Sequence, residues 1–211
     1  QPLVDLPGDR NFVLVLAGNG LMLGTYIGVA SHWNQAGNIN SILWCHGTLE
    51  IQAFVLAAAG RDPTFLVGGV TKNYSGNYRL GRGPHFVVEG DEYDTAYFDK
   101  GPKFLHYQPR SVILTSIELD HADIYRDLAH YESSFEKLMA LVPADGHVAV
   151  SAAWPSAVRL ARASRAKVTT YDGHEGATAD VVGTNVRLGP EGVRFVVVEN
   201  GMAQGEFLLP M

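Results

Sequence analysis

The sequence predicts an α/β fold, a mostly parallel sheet flanked by helices with a C-terminal antiparallel β flap. Three observations carry that expectation: short apolar runs that end in glycine or polar residues, helical patterns between them, and a change of pattern after about residue 176. Phe12 to Ala17, ending at Gly18, has the length and continuity of a strand buried on both faces. Leu49 to Ala59 is helix-like, and Phe65-Leu66-Val67 before Gly68-Gly69, Phe86 to Val88, Ser111 to Thr115 and His147 to Val150 repeat the short strand pattern. Leu128, Tyr131, Phe135, Leu138 and Leu141 recur at intervals of three and four, the spacing of one apolar helix face against a sheet. Strands alternating with helices favour parallel pairing, because each crossover carries the chain back to the start of the next strand. Val181 to Leu188, Val193 to Glu199 and Gln204 to Leu209 are instead joined by Gly-Pro-Glu-Gly and Glu-Asn-Gly-Met turns, which predict antiparallel hairpins.

At 211 residues and 46% hydrophobic content the chain can bury a substantial core, and a single domain over 1–211 is expected. A net charge of −6 without a basic face argues against nucleic acid, and no apolar stretch approaches the roughly 20 residues of a membrane helix. With no charged and apolar leader at its start, and Cys45 the one cysteine, the chain is expected to be soluble and cytoplasmic. Cys45 reads as a small buried hydrophobe rather than a nucleophile.

The stretch HFVVEGDEYDTAYFD, residues 85–99, runs from an apolar strand into Glu89, Asp91, Glu92, Asp94 and Asp99. Ligands in open α/β sheets collect at the carboxyl ends of strands. Carboxylates crowded there repel one another, and a hard cation such as Mg²⁺ relieves the repulsion with oxygen ligands. A second ionisable cluster, Ser116 to Asp123, follows the strand Val112 to Thr115. If these two strands are neighbours, Glu89 and His121 face one ion, with Asp120 or Glu118 orienting the imidazole. Lys100, Lys103 and Arg110 read as partners of nearby carboxylates rather than as phosphate ligands.

The segments AAGRDPTFLVGGV and VVEGDEYDTAYFDKGPKFLHYQPRSVILTSIELDHADIYRDL resemble, in order and spacing, the central domain of the Mur ligases, with the muropeptide ligases of cell-wall recycling as the most similar branch. The resemblance implies a P-loop-NTPase-like ATP-binding domain of an enzyme that phosphorylates a carboxylate with ATP and then joins it to an amine. It implies Mg²⁺ held by Glu89 and His121, which would be the catalytic pair, and Asp91, Glu92 and Asp94 on the substrate side. It implies a nucleotide and a UDP-N-acetylmuramic acid and peptide substrate as binding partners.

The family's phosphate loop, Gly-Thr-His-Gly-Lys-Thr-Thr, is not matched. Gly18-Asn19-Gly20 follows the first strand, and His46-Gly47-Thr48 precedes the first helical stretch, so Gly18, Gly20, His46, Gly47 and Thr48 are the candidate nucleotide contacts. No lysine or arginine lies between Arg10 and Arg61, which removes a charge-assisted phosphate contact worth roughly 1.5–3 kcal/mol. Residues 19–52 form an atypical segment in place of the loop, rich in glycine and aromatics, and Ser116 stands where relatives tend to carry asparagine. The N- and C-terminal ligase domains are expected to be absent, and the domain alone to be inactive. Two other readings stand beside this one. The chain is a non-catalytic scaffold or interaction module that meets a protein partner or itself through 19–52, or a metal-dependent hydrolase using Glu89 and His121.

Overall fold

A computed structural model describes residues 11–16, 48–68, 71, 74–90, 92, 94–117, 123–174 and 176–209. Gly18, Gly20, Cys45, His46, Gly47, Asp91, Glu118, Asp120, His121 and all of segment 19–52 before Thr48 lie outside these residues.

The described chain builds a ten-stranded mixed sheet. Its strands are β1 (Asn11–Leu16), β2 (Thr64–Leu66), β3 (Tyr78–Arg79), β4 (His85–Glu89), β7 (Ser111–Leu114), β8 (His147–Ser151), β9 (Lys167–Asp172), β10 (Val181–Gly189), β11 (Gly192–Glu199) and β12 (Met202–Leu209). They lie in the order β12-β11-β10-β9-β8-β7-β1-β4-β2-β3. Strands β5 (Asp94–Ala96) and β6 (Asp99–Pro102) form a separate two-stranded hairpin. The block from β2 to β10 is parallel throughout, and β3, β11 and β12 are antiparallel to their neighbours. The helices are α1 (Thr48–Ala58), α2 (Leu128–Leu141) and α3 (Pro155–Arg162).

Side chains alternate across the pleat, so neighbours within one strand enter different cores. Val87 joins Ala53 and Leu56 of α1, Phe65 and Ile113 on one face, whereas Val88 joins Leu114, Val150, Phe135 and Leu160 on the other. A sheet covered on both faces explains why its central strands lack polar alternation in the sequence. Helix α2 starts at Asp127, whose carboxylate accepts from the His130 N–H, and buries Tyr131, Ser134, Phe135, Leu138 and Met139. Leu128 and Leu141, at its two ends, remain exposed. Helix α3 begins with Pro155, which suits a first helical position because its missing N–H would have had no partner there.

The flap forms as the turns predict. Asn200 and Gly201 both have positive φ (49° and 79°), the backbone of the two-residue hairpin between β11 and β12. No helix among the described residues is long and apolar enough to cross a membrane.

One expectation is corrected: β4 and β7 are not neighbours. β1, although first in the chain, lies between them, paired in parallel with both. From β1 the chain goes out to β2 and β3 on one side and returns to β4 beside β1, then crosses to β7 and winds outward through β8 and β9 on the other. Glu89 and Ile113 face the same residue, Val15, from opposite sides, so two strand spacings of about 4.8 Å each separate their backbones.

Candidate functional site

That reversal of winding places the candidate site. Leu16, Glu89 and Leu114 close β1, β4 and β7 at one edge of the sheet, where open α/β folds leave a crevice. Because α1 descends from this edge to the start of β2, its first residue, Thr48, arrives at the same edge, with a positive helix-dipole end. Parallel pairing thus gathers three strand ends and one helix start from segments far apart in sequence.

Glu89 is exposed at this edge. Its carboxylate lies against Gly68 in the connection leaving β2, and a Cβ at residue 68 would come within 2.7 Å of Glu89 Oε2. Gly68 is a site residue that sequence reasoning missed; its contact spans 21 positions and exists because β2 pairs with β4.

The other described carboxylates of the acidic run have protein partners. Asp94 pairs with Lys100, which also lies 5.6 Å from the Tyr97 ring centroid. Lys100 holds the Asp94 carboxyl below the ordinary range, first through its hydrogen bond and further through its charge, to which Lys103 adds. Asp99 accepts from the Gly101 N–H and contacts His106 Nε2, both at 3.0 Å. Asp94 and Asp99 thus find partners close by in the chain, the Lys100 ammonium for Asp94 and the Gly101 N–H with the His106 ring for Asp99. Glu92 is held differently: its carbonyl accepts from the Tyr125 hydroxyl at 2.9 Å and its Oε1 from the Tyr131 hydroxyl at 3.3 Å. Arg110 pairs with Asp145, as a carboxylate partner rather than a phosphate ligand.

At this end of the fold, two buried polar atoms lack a hydrogen-bond partner among the described residues. Ser116, just past the end of β7, is 5% exposed with its hydroxyl unpaired; Gln52, on the second turn of α1, is 4% exposed with Oε1 unpaired. Such atoms cost roughly 1–3 kcal/mol each when left unsatisfied, so each calls for a partner beyond the described residues, from the chain or from a ligand. No three His, Cys, Asp or Glu side chains group as a metal site among the described residues. One exposed carboxylate fits Mg²⁺, which takes one or two protein carboxylates and completes its shell with phosphate oxygens and water; it does not fit a closed zinc site.

A further contact that sequence reasoning did not single out ends β9 on the same edge. Asp172, 6% exposed, accepts from the backbone N–H of His174 at 2.9 Å and contacts His174 Nδ1 at 2.6 Å. The available signal was Asp-Gly-His after a strand of mixed polarity, which is weak on its own.

A family model described as the Mur ligase middle domain matches residues 83–210. The UDP-N-acetylmuramate--L-alanyl-gamma-D-glutamyl-meso-2,6-diaminoheptandioate ligase of Haemophilus influenzae is 44% identical over 110 residues, 52% of this chain and 24% of that protein. The UDP-N-acetylmuramate--L-alanine ligase of Salinispora arenicola is 35% identical over 167 residues, 78% of this chain and 31% of that protein. Among solved structures, the UDP-N-acetylmuramate:L-alanyl-gamma-D-glutamyl-meso-diaminopimelate ligase (Mpl) of Neisseria meningitides superposes with a TM-score of 0.69 at 27% identity, covering 96% of this chain and 56% of that one. The chain spans about a quarter to a third of the length of these two curated relatives.

Proposed function

Given that this chain belongs to the Mur ligase middle-domain family, we propose that it is the nucleotide- and magnesium-binding domain of a muropeptide ligase, which joins a peptide to UDP-N-acetylmuramate with ATP. The observation that carries this reading is the exposed Glu89 carboxylate, against Gly68, at the sheet edge where the winding reverses and where the Ser116 hydroxyl is buried without a partner among the described residues. The 44% identity to a ligase of that description supports the muropeptide branch.

Each group at the edge has a definable task. Glu89 supplies the oxygen ligand for Mg²⁺, and the resemblance assigns His121 to the same ion. When bound, Mg²⁺ neutralises phosphate oxygens and the charge that builds during phosphoryl transfer. The first turn of α1 presents backbone N–H groups and a positive dipole end to phosphate. Ser116, at the end of β7, offers one hydroxyl to phosphate or to metal-bound water. Without a lysine or arginine between Arg10 and Arg61, phosphate is held by main chain and metal, so binding depends strongly on Mg²⁺ and turnover by this chain alone is not expected.

The test is calorimetric titration of the chain with ATP at millimolar concentration, with and without Mg²⁺. Magnesium-dependent heat that disappears in Glu89→Ala and His121→Ala supports the reading; no heat in the wild-type chain, or heat indifferent to both substitutions, overturns it. The scaffold alternative rests on residues 19–52, of which 19–47 lie outside the described residues.

A further inference from the structure

We propose that Tyr125 and Tyr131 are positioning residues for the Glu89 site, and that Glu92 serves it as their tether rather than as a charged ligand. The inference rests on the reading of Glu89 as a magnesium ligand and assigns a role to the groups behind it. Glu92 lies three residues beyond Glu89, in the connection that leaves β4. Tyr125 lies in the connection that leaves β7, and Tyr131 on the first turns of α2. β1 separates β4 from β7, so no ladder hydrogen bond joins those two strands directly. The tyrosines bridge the gap: both hydroxyls meet Glu92, one at its carbonyl and one at its carboxylate.

The bridge has a rigid foundation. Tyr125 and Tyr131 are 3% and 4% exposed, with their rings edge-to-face at 4.8 Å. Tyr131 packs on Phe135 at 5.0 Å and Phe135 on Phe104 at 5.5 Å, so the pair is embedded in the core between the sheet and α2. Groups held this way keep one rotamer, and what they grip inherits their position. At Oε1 the Glu92 side chain accepts from the Tyr131 phenol, a contact whose geometry an amide oxygen also satisfies, with less strength than a carboxylate.

That shared acceptor geometry supplies the test. Affinity for ATP in the presence of Mg²⁺ is measured by calorimetry for the wild-type chain and for Tyr125→Phe, Tyr131→Phe, Glu92→Ala, Glu92→Gln and Glu89→Gln. Amide hydrogen exchange at Glu92 is followed in the same proteins. The proposal expects Tyr125→Phe and Glu92→Ala each to weaken binding about fivefold, the effect of about one lost hydrogen bond, and to speed exchange at Glu92 by a similar factor. Glu92→Gln should recover most of the affinity lost in Glu92→Ala. If Glu92→Gln loses as much affinity as Glu89→Gln, Glu92 is a charged ligand and the proposal fails. It fails also if Tyr125→Phe and Tyr131→Phe both match the wild type in binding and exchange. A wild-type chain that gives no magnesium-dependent heat overturns the functional reading instead, and the tether is then judged by exchange: wild-type protection in Tyr125→Phe overturns it.

Discussion

Glu89 keeps its place because residue 68 has no side chain. In Gly68→Ala the new methyl group meets the far end of a flexible carboxylate rather than backbone, so the carboxylate swings away at small cost to stability. The expected result is a thermal midpoint within about 2 °C of wild type, a shift below about 1 kcal/mol for a chain of this size, together with a clear loss of magnesium-dependent nucleotide affinity. Calorimetry and a melting curve on one preparation check both halves. Glu89 itself was legible in the sequence as the first charge after an apolar run, whereas Gly68 was not, since glycine before a loop has many uses and the contact depends on which strand lies beside which. Charges elsewhere set the response to pH. The carboxyls of Asp62, Asp94 and Asp145 all lie below their ordinary value, chiefly through hydrogen bonds from the Arg82 N–H, the Lys100 ammonium and the Arg110 guanidinium respectively. Their contribution is complete above the unfolded carboxyl value of about 3.9 and is lost as pH falls below it. His85 is lowered by burial and then by the nearby Arg61 charge. The unfolded chain therefore takes up a proton near pH 6.5 that the folded chain resists, and stability falls as pH drops below about 6.5. Melting temperatures across a pH series should show both declines, and His85→Gln should remove the upper one.

At the scale of elements, the acidic run divides between three structures. Its first carboxylate ends β4, Glu92 belongs to the tyrosine bridge, and Asp94 and Asp99 belong to the hairpin of β5 and β6. Sequence spacing alone suggested a single cluster, because charge density is visible in a sequence and the fold-back at Tyr97-Phe98 is not marked by glycine or proline. Helix α2 was legible from its period of three and four, yet Leu128 and Leu141 at its termini stay exposed, as the sheet it packs on is shorter than the apolar stripe. Helix α3 and β9 escaped notice: eight residues give too few turns for a periodic signal, and Lys167-Val168-Thr169-Thr170-Tyr171-Asp172 lacks a continuous apolar run. Phe135 anchors α2, at 1% exposure between Phe104 and Tyr131. Phe135→Ala should cost about 3–5 kcal/mol in chemical denaturation, while Asp127→Ala, which removes the helix cap, should cost about 1 kcal/mol.

For the whole molecule, the strand order matters more than any single contact. Parallel strands and the antiparallel flap were both legible, since buried runs and turn residues carry local signals. The central position of β1 was not, because sequence order says nothing about which strand a later one will join. That insertion sets the ends of β4 and β7 apart on either side of β1, the arrangement at which open α/β folds leave a crevice. The account stands on the claim that this crevice, with Glu89 at its rim, is where a metal-bound nucleotide sits. Paramagnetic broadening of backbone amide signals by Mn²⁺ with ADP measures that location directly. The account predicts broadening of Gly68, Glu89, Thr115 and Ser116 that is lost in Glu89→Gln, with His85, Ser111 and His147 at the opposite edge unaffected. Broadening centred on that opposite edge, or an unchanged pattern in Glu89→Gln, would contradict it.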